Sequence, residues 1–370
     1  MTILKNRMTI VQATIFAALF YWGFMLSPTP ADAVPVYPGD DIQEALNSNS
    51  SVELQAGDYY LSAPLDMPGD TTLSGTGSAT VLHINSGMDP PQYGSAINFN
   101  GNAGGNFSTV RDLSIIGGGI GLNGQAHDNV VSGVEITDVI PPPTEDGHGI
   151  VASGGAGPSY NNQILNNKIY NVHHGIGISI DGASHHNVVK GNYVGNADMA
   201  GIDAESFWTP PMEAPHDNII DGNTVEDSII AVAAAFNTNR ALRNQVTNNI
   251  VRRPVWWLYP QRVLGGHFTS EDDWGVCLQM AGIVAVNVGD MEITGNMIES
   301  ALLVDIFVGD CTDVNIADNI RVWGNSYLPP RVVGRCRDDD DDDTDDDSDD
   351  DADDDSGGGG GGGGGCGCGF

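Results

Sequence analysis

The sequence predicts an all-β solenoid, in which short parallel strands wind into stacked coils. Three observations predict it. First, one phrase recurs four times, as Asn129-Val-Val-Ser-Gly, Asn162-Gln-Ile-Leu-Asn, Asn187-Val-Val-Lys-Gly and Asn218-Ile-Ile-Asp-Gly, each with an aliphatic residue seven places on, at Ile136, Ile169, Val194 and Val225. Second, the steps between copies lie in the range of stacked structural repeats. Third, the apolar runs are short, rich in Val and Ile, and alternate with period two, as in Ile176-Gly-Ile178-Ser-Ile180, with Gly and Asn breaking them before a helix could form.

Weaker copies follow at Asn244 with Val251, around Met291 with Ile298 and at Asn315 with Val322, and a degenerate one runs from Ser108 to Ile115. No copy could bury its apolar side alone, so the copies must share one core. The recurrent Asn is expected at a turn that tolerates left-handed backbone, with its amide bonding the backbone of the next coil. Repeats of the form Asn-x-Ile-x-x-Asn-x-Ile resemble those of the right-handed parallel β-helix of the pectate-lyase-like superfamily. The resemblance covers roughly Val34 to Arg335. It implies a single-stranded right-handed parallel β-helix and leaves the function open.

The elements follow in order. Lys5 and Arg7 precede an apolar stretch from about Ile10 to Leu26, and Ala31-Asp-Ala33 offers a small-x-small cleavage site. This reads as a secretory signal peptide over residues 1–33, giving a secreted or cell-surface protein with no membrane span once it is removed. An uncleaved anchor is the alternative, since the stretch is borderline in length for spanning. The solenoid is expected over residues 34–337. Asp41-Ile-Gln-Glu44 has the form of a capping box opening a short helix, with Ile42, Ala45 and Leu46 on one face. That helix is placed to cover the N-terminal end of the core, which would otherwise expose apolar surface and strand edges. Short strands follow at Val52–Leu54, Tyr59–Leu61, Thr71–Leu73 and Val81–Ile84, and regular coils run from about Ile97 to about Trp323.

Two insertions interrupt the rhythm, Phe207–Pro215 and Pro254 to about Cys277, with a lesser loop from Pro143 to His148. Solenoid insertions gather on one face, often the binding face. Four of the six Trp residues, Trp208, Trp256, Trp257 and Trp274, fall in the two insertions, as does Tyr259. Such rings either stack on sugar faces or pack the loops against the coil wall. From Asp338 the chain is a run of aspartates, then nine glycines, then Cys366-Gly-Cys-Gly-Phe370. Residues 338–370 cannot form a core and are expected to be a disordered acidic and glycine-rich tail.

The formal net charge is −35, of which fifteen negative charges lie in that tail, leaving −20 on the rest. No basic stripe exists for nucleic acid. Five cysteines show no zinc spacing; export permits disulfides, and Cys311 could pair with Cys277 or Cys336. A monomer is expected.

Candidate chemistry lies on the strand after each Asn phrase. Aligning Ile150, Ile176, Ile202 and Ile230 as inward residues sends Ser179, Asp181, Asp203 and Glu205 to one external sheet face. Asp203 and Glu205, two apart on a strand, stand about 6.5–7 Å apart, near the separation of an inverting carboxylate pair. Asp181, Asp203 and Glu205 are also a candidate calcium site. Asp305 could join this face. His148, His173 and His174 precede the strands and are candidates for proton transfer near neutral pH. An outward carboxylate may equally do no more than solvate a sheet, but several on adjacent coils repel each other in a way that structure alone does not require.

Two motifs carry less. Glu213-Ala-Pro-His-Asp217 resembles the Asp-Pro-His-Asp of mannuronan epimerases, but His216-Asp-Asn218 sits at the repeat position of His127-Asp-Asn129 and His185-His-Asn187, which marks a turn element. Gly147-His-Gly149 resembles the Gly-His-Gly of polygalacturonases, whose other motifs are missing. A pectate-type lyase needs a basic proton abstractor, and Lys190, Arg240 and Arg243 fall outside the aligned strand. The leading expectation is a polysaccharide hydrolase or lyase working at Asp203, Glu205 and Asp181, with His148, His173, His174, Trp208, Trp256, Trp257, Tyr259 and Trp274 at the substrate. The alternative is a non-catalytic carbohydrate-binding or adhesive solenoid. A copper-maturation role has only nine His and ten Met in its favour, without clustering.

Overall fold

The computed structural model describes residues 32–84, 94–141, 147–153, 157–206, 214–234, 239–254, 281–301, 304–324 and 326–336. The expected signal peptide, apart from its last two residues, and the expected tail lie outside them. So do Trp208, Trp256, Trp257, Tyr259, Trp274, Glu213 and Cys277.

The chain is a single-stranded right-handed parallel β-helix. Each regular coil has three strands. In the coil that opens with Gly175–Asp181, the second strand is Val188–Lys190 and the third Tyr193–Ala197. Each pairs in parallel with its counterparts one coil before and after. Inside, the first strands stack Ile97, Ile120, Ile150, Ile178, Ile202, Ile230, Ile283 and Ile306 in register. The third strands stack Ile115, Ile136, Ile169, Val194, Val225, Val251 and Ile298. All are fully buried. The aliphatic residue seven places after each Asn is therefore the third-strand core position.

One register differs from the sequence reading. Ile178, not Ile176, lies in the inward row with Ile150 and Ile202. Ile176 packs on the outer face with Ala200, Ala231 and Val284. The intervening glycine is the reason: a Cβ on Gly177 would stand 2.3 Å from Cγ1 of Val194 and 2.5 Å from the Gly201 carbonyl oxygen. Backbone pressed this close to the third strand breaks the alternation, so the residues on either side of Gly177 face opposite ways.

The asparagines form two internal ladders. In the first, the backbone N–H and Nδ2 of Asn129, Asn162, Asn187 and Asn218 each donate to Oδ1 of the next coil's Asn at 3.0–3.1 Å. The second runs through Asn167, Asn192, Asn223, Asn249, Asn296 and Asn319 in the same manner. The amide does bond a neighbouring backbone, but that of the preceding coil rather than the next: Asn162 Oδ1 accepts from the Asn129 N–H and its Nδ2 donates to Ala126 O. The left-handed residue, however, is the one before the ladder Asn: Asp128, Asn161, His186 and Asp217 have φ of 55–56°.

Both ends of the core are closed. The helix Ile42–Ser48 buries Ile42 and Leu46, and its Asp41 cap accepts from the Glu44 N–H at 2.9 Å. At the other end the last Asn copy shifts by one from its sequence reading. Val314 and Arg321, rather than Asn315 and Val322, continue the ladder and core columns. Asp305, fully buried, pairs with Arg321 at 3.8 Å and with Arg331 at 3.3 Å, and accepts from the Arg331 N–H at 2.6 Å. It is a charged end-plug and does not join the acidic outer face. Asp305→Ala would leave Arg321 uncompensated in the core column and is expected to destabilise the fold by about 3 kcal/mol or more, read by chemical denaturation. Cys311 is disulfide-bonded, and in register its backbone faces Cys336.

Candidate active site

The outer face of the first strands carries two columns of side chains. One runs Asn98, Gly121, Val151, Ser179, Asp203, Ala231, Val284, Phe307. The other, two residues on, runs Asn100, Asn123, Ser153, Asp181, Glu205, Ala233, Val286. The acidic residues are brought together as the strand register requires: Ser179 beside Asp203 and Asp181 beside Glu205 on adjacent coils. Toward the N-terminus the face is polar. Toward the C-terminus it becomes an apolar cluster of Ala231, Ala233, Val284, Val286 and Phe307.

This face is not solvated. Asp203 is 0% exposed, Asp181 8% and Glu205 9%. Both carboxyl oxygens of Asp203, and Oγ of Ser179, are buried without a hydrogen-bond partner of proper geometry. Burial holds the Asp203 carboxyl well above the usual carboxylate range; nearby Ser179 offsets part of this, and the neighbouring Asp181 charge adds to it. Burial likewise pushes Asp181 up to about 6, against one opposing hydrogen bond from the Gly182 N–H. The acid form of Asp203 is therefore favoured over what an exposed carboxyl would show, and the acid form is what a carboxylic acid needs to deliver a proton.

Calcium fits this trio poorly. Such an ion takes six to eight oxygens around one point. Among the described residues, the three or more possible ligands whose atoms converge are His186, His216 and Asp217, with Asp181, Asp203 and Glu205 not among them. The backbones that carry these carboxylates stand at strand and coil spacings, and the Glu205 side chain reaches the Asp203 carboxyl closely enough to lower its pKa.

The three histidines are not at the carboxylates. His148 lies on the outer face in register with Ile176 and Ala200. That is three residues along and two coils across from Asp203, roughly 14 Å by strand geometry. Burial lowers its pKa to about 4, so it is neutral at pH 7 and no proton donor there. His173 and His174 are exposed at the corner before Gly175, and the His174 N–H donates to Asp198 at 2.8 Å. Five residues from His174 to Ser179 span about 16 Å, so both belong to a turn. Sequence alignment could not separate these cases, because it gives order along the strand but not burial. The polar stretch Asn98, Asn100 and Asn123 was also missed. Its signal was available: those residues occupy the outward columns three and four coils before Asp203 and Glu205.

The family model described as "Protein of unknown function (DUF1565)" matches residues 59–331. No curated protein matches the sequence. Among solved structures, an alginate lyase from Paenibacillus sp. str. FPU-7 is similar at 16% identity, with a TM-score of 0.53, covering 81% of this chain and 97% of that one. The catalytic domain of a GH87 α-1,3-glucanase in complex with tetrasaccharides gives 14%, 0.48, 83% and 68%. PfbA, a surface adhesin of Streptococcus pneumoniae, gives 12%, 0.43, 78% and 90%. At these identities the likeness shows the fold alone.

Proposed function

We propose that this chain, which belongs to the DUF1565 family, cleaves a neutral polysaccharide by acid–base hydrolysis at the outer face of its β-helix. The observation that carries the reading is Asp203: a fully buried carboxyl whose oxygens lack a well-formed hydrogen bond and whose acid form is favoured. A structural carboxyl gains nothing from that placement, whereas a general acid requires it. Asp203 gives its proton to the glycosidic oxygen as the bond to the anomeric carbon breaks. Glu205, two residues along the same strand, takes a proton from the water that attacks the opposite face, and the sugar configuration inverts. Asp181, beside Glu205, tunes that base. Asn98, Asn100 and Asn123 offer amides to sugar hydroxyls along the exposed end of the face.

Charge decides the substrate class. None of the first strands from Ser95–Asn100 to Ile230–Ala234 contains a Lys or Arg. An elimination next to a uronate, or its binding, needs a cation to neutralise the sugar carboxylate, and this face supplies only more negative charge. Export to a glycan-rich exterior is part of the proposal, resting on the N-terminal sequence. The test is a panel of neutral and uronate polysaccharides incubated with and without chelator. New reducing ends from a neutral glycan, undiminished by chelator, are expected. Unsaturated, ultraviolet-absorbing ends from a uronate would overturn the reading. Retention of a glycan without any product would instead favour the adhesive alternative.

A further inference from the structure

A second candidate centre lies at the turn between the first and second strands. Four successive coils place His127, Tyr160, His185 and His216 at one position there, linked by single parallel bridges. Their rings stack at 4.8, 5.2 and 4.8 Å with planes within 12° of parallel. The next residue in each coil is left-handed: Asp128, Asn161, His186 and Asp217. At Asp128 and Asp217 the carboxylate binds the Nδ1 of its own histidine, at 2.8 and 2.7 Å. In the coil between Tyr160 and His216 a second imidazole takes that place. His is tolerated at left-handed φ, but Asn and Asp fit the turn equally well. His186 therefore adds nothing to the turn that Asn161 does not already provide one coil earlier.

What His186 does add is a ligand. Its ring, the ring of His216 and the carboxylate of Asp217 each offer one donor atom, and the three atoms lie within 4.8 Å of one another. His186 is exposed, and His216 and Asp217 are partly so, which leaves an ion a path in. The Nδ1 atoms of His185 and His186 stand 2.8 Å apart, so one ring donates and the other accepts. Arg243 forks onto Asp217, Nε to Oδ1 at 2.7 Å and an Nη to Oδ2 at 2.8 Å. One cation therefore already leans on the carboxylate.

We infer that His186, His216 and Asp217 form a binding site for one first-row divalent ion of the zinc and copper class, clamping two adjacent coils at this turn. Two imidazoles and one carboxylate suit such borderline ions, and a water would complete a tetrahedron. Ligands on bonds of about 2.1 Å stand roughly 3.4 Å apart, so modest rotation of the exposed His186 closes the set. The site makes no use of Asp203 and stands or falls independently of the hydrolase reading.

Calorimetry of zinc binding to the full chain, compared with His186→Asn and Arg243→Asn, tests this. Both variants carry a residue that suits the left-handed turn, so the fold is kept. The acidic tail and its cysteines take up metal equally in all three chains, and the differences isolate the site. His186→Asn is expected to lose one equivalent, or to weaken it by at least about tenfold. Arg243→Asn is expected to bind more tightly, since the competing cation is gone. With copper(II), electron paramagnetic resonance is expected to show two coordinated nitrogens in the parent and one in His186→Asn. Identical isotherms for parent and His186→Asn, or weaker binding in Arg243→Asn, would overturn the site.

Discussion

Asp203→Asn is expected to abolish polysaccharide turnover while raising the thermal midpoint at pH 7 by several degrees. The two effects share one cause. A general acid contributes about 10²–10⁴ in rate, and Asn cannot give up a proton. The same carboxyl costs stability, because the folded protein must either bury a charge or keep a proton that the unfolded chain has released. The sign follows from Asp181, whose carboxyl moves from 3.8 to about 6 on folding. Between about pH 4 and 6 the folded state holds more protons than the unfolded one, so stability falls as pH rises through that window, by roughly 3 kcal/mol in full. Asp203, shifted in the same direction, adds to the loss. The parent should therefore be more stable at pH 5 than at pH 7, and Asp203→Asn should reduce the difference to the share that Asp181 contributes. Loss of activity together with a lower midpoint would make Asp203 a structural residue.

The largest structural effect is expected at the ladder. Asn187→Ala removes four hydrogen bonds at once: those its Nδ2 donates to Ser159 O and Asn218 Oδ1, and those its Oδ1 accepts from the N–H and Nδ2 of Asn162. All of these groups are buried, and orphaned donors and acceptors cost about 1–3 kcal/mol each. A destabilisation of roughly 4–5 kcal/mol is expected by denaturant unfolding. Asn187→Asp, nearly isosteric, should not rescue it, because a carboxylate cannot donate to Ser159 O and would face Asn218 Oδ1. A change within 1 kcal/mol in either variant would remove the ladder from its place in holding the coils together.

Much of this was legible in the residues. The Asn phrases and the aliphatic residue seven places on gave the coil, because both repeat with a period that no helix or sandwich produces. The pairing of Ser179 with Asp203 and of Asp181 with Glu205 followed from alternation along the strand. Three things did not follow. The slip at Gly177 depends on how closely two backbones approach, which a one-dimensional pattern does not contain. The end-plug of Asp305 and Arg321 was hidden because a charged residue occupies a core position, where an aliphatic one was expected at Val322. The burial of the acidic face was invisible for the same reason that it matters. A sequence shows which way a side chain points, and the dielectric it meets there depends on what covers it. Burial is what raises the Asp203 carboxyl above the range of a solvated one.

That state can be read directly. Carbon-13 resonance of the aspartate side chains, titrated in the parent and in Asp203→Asn, isolates the Asp203 carboxyl by difference. A midpoint well above the ordinary carboxylate range is the result expected of a buried proton donor. A midpoint near 4 would show an ordinary ionised surface acid and contradict the account.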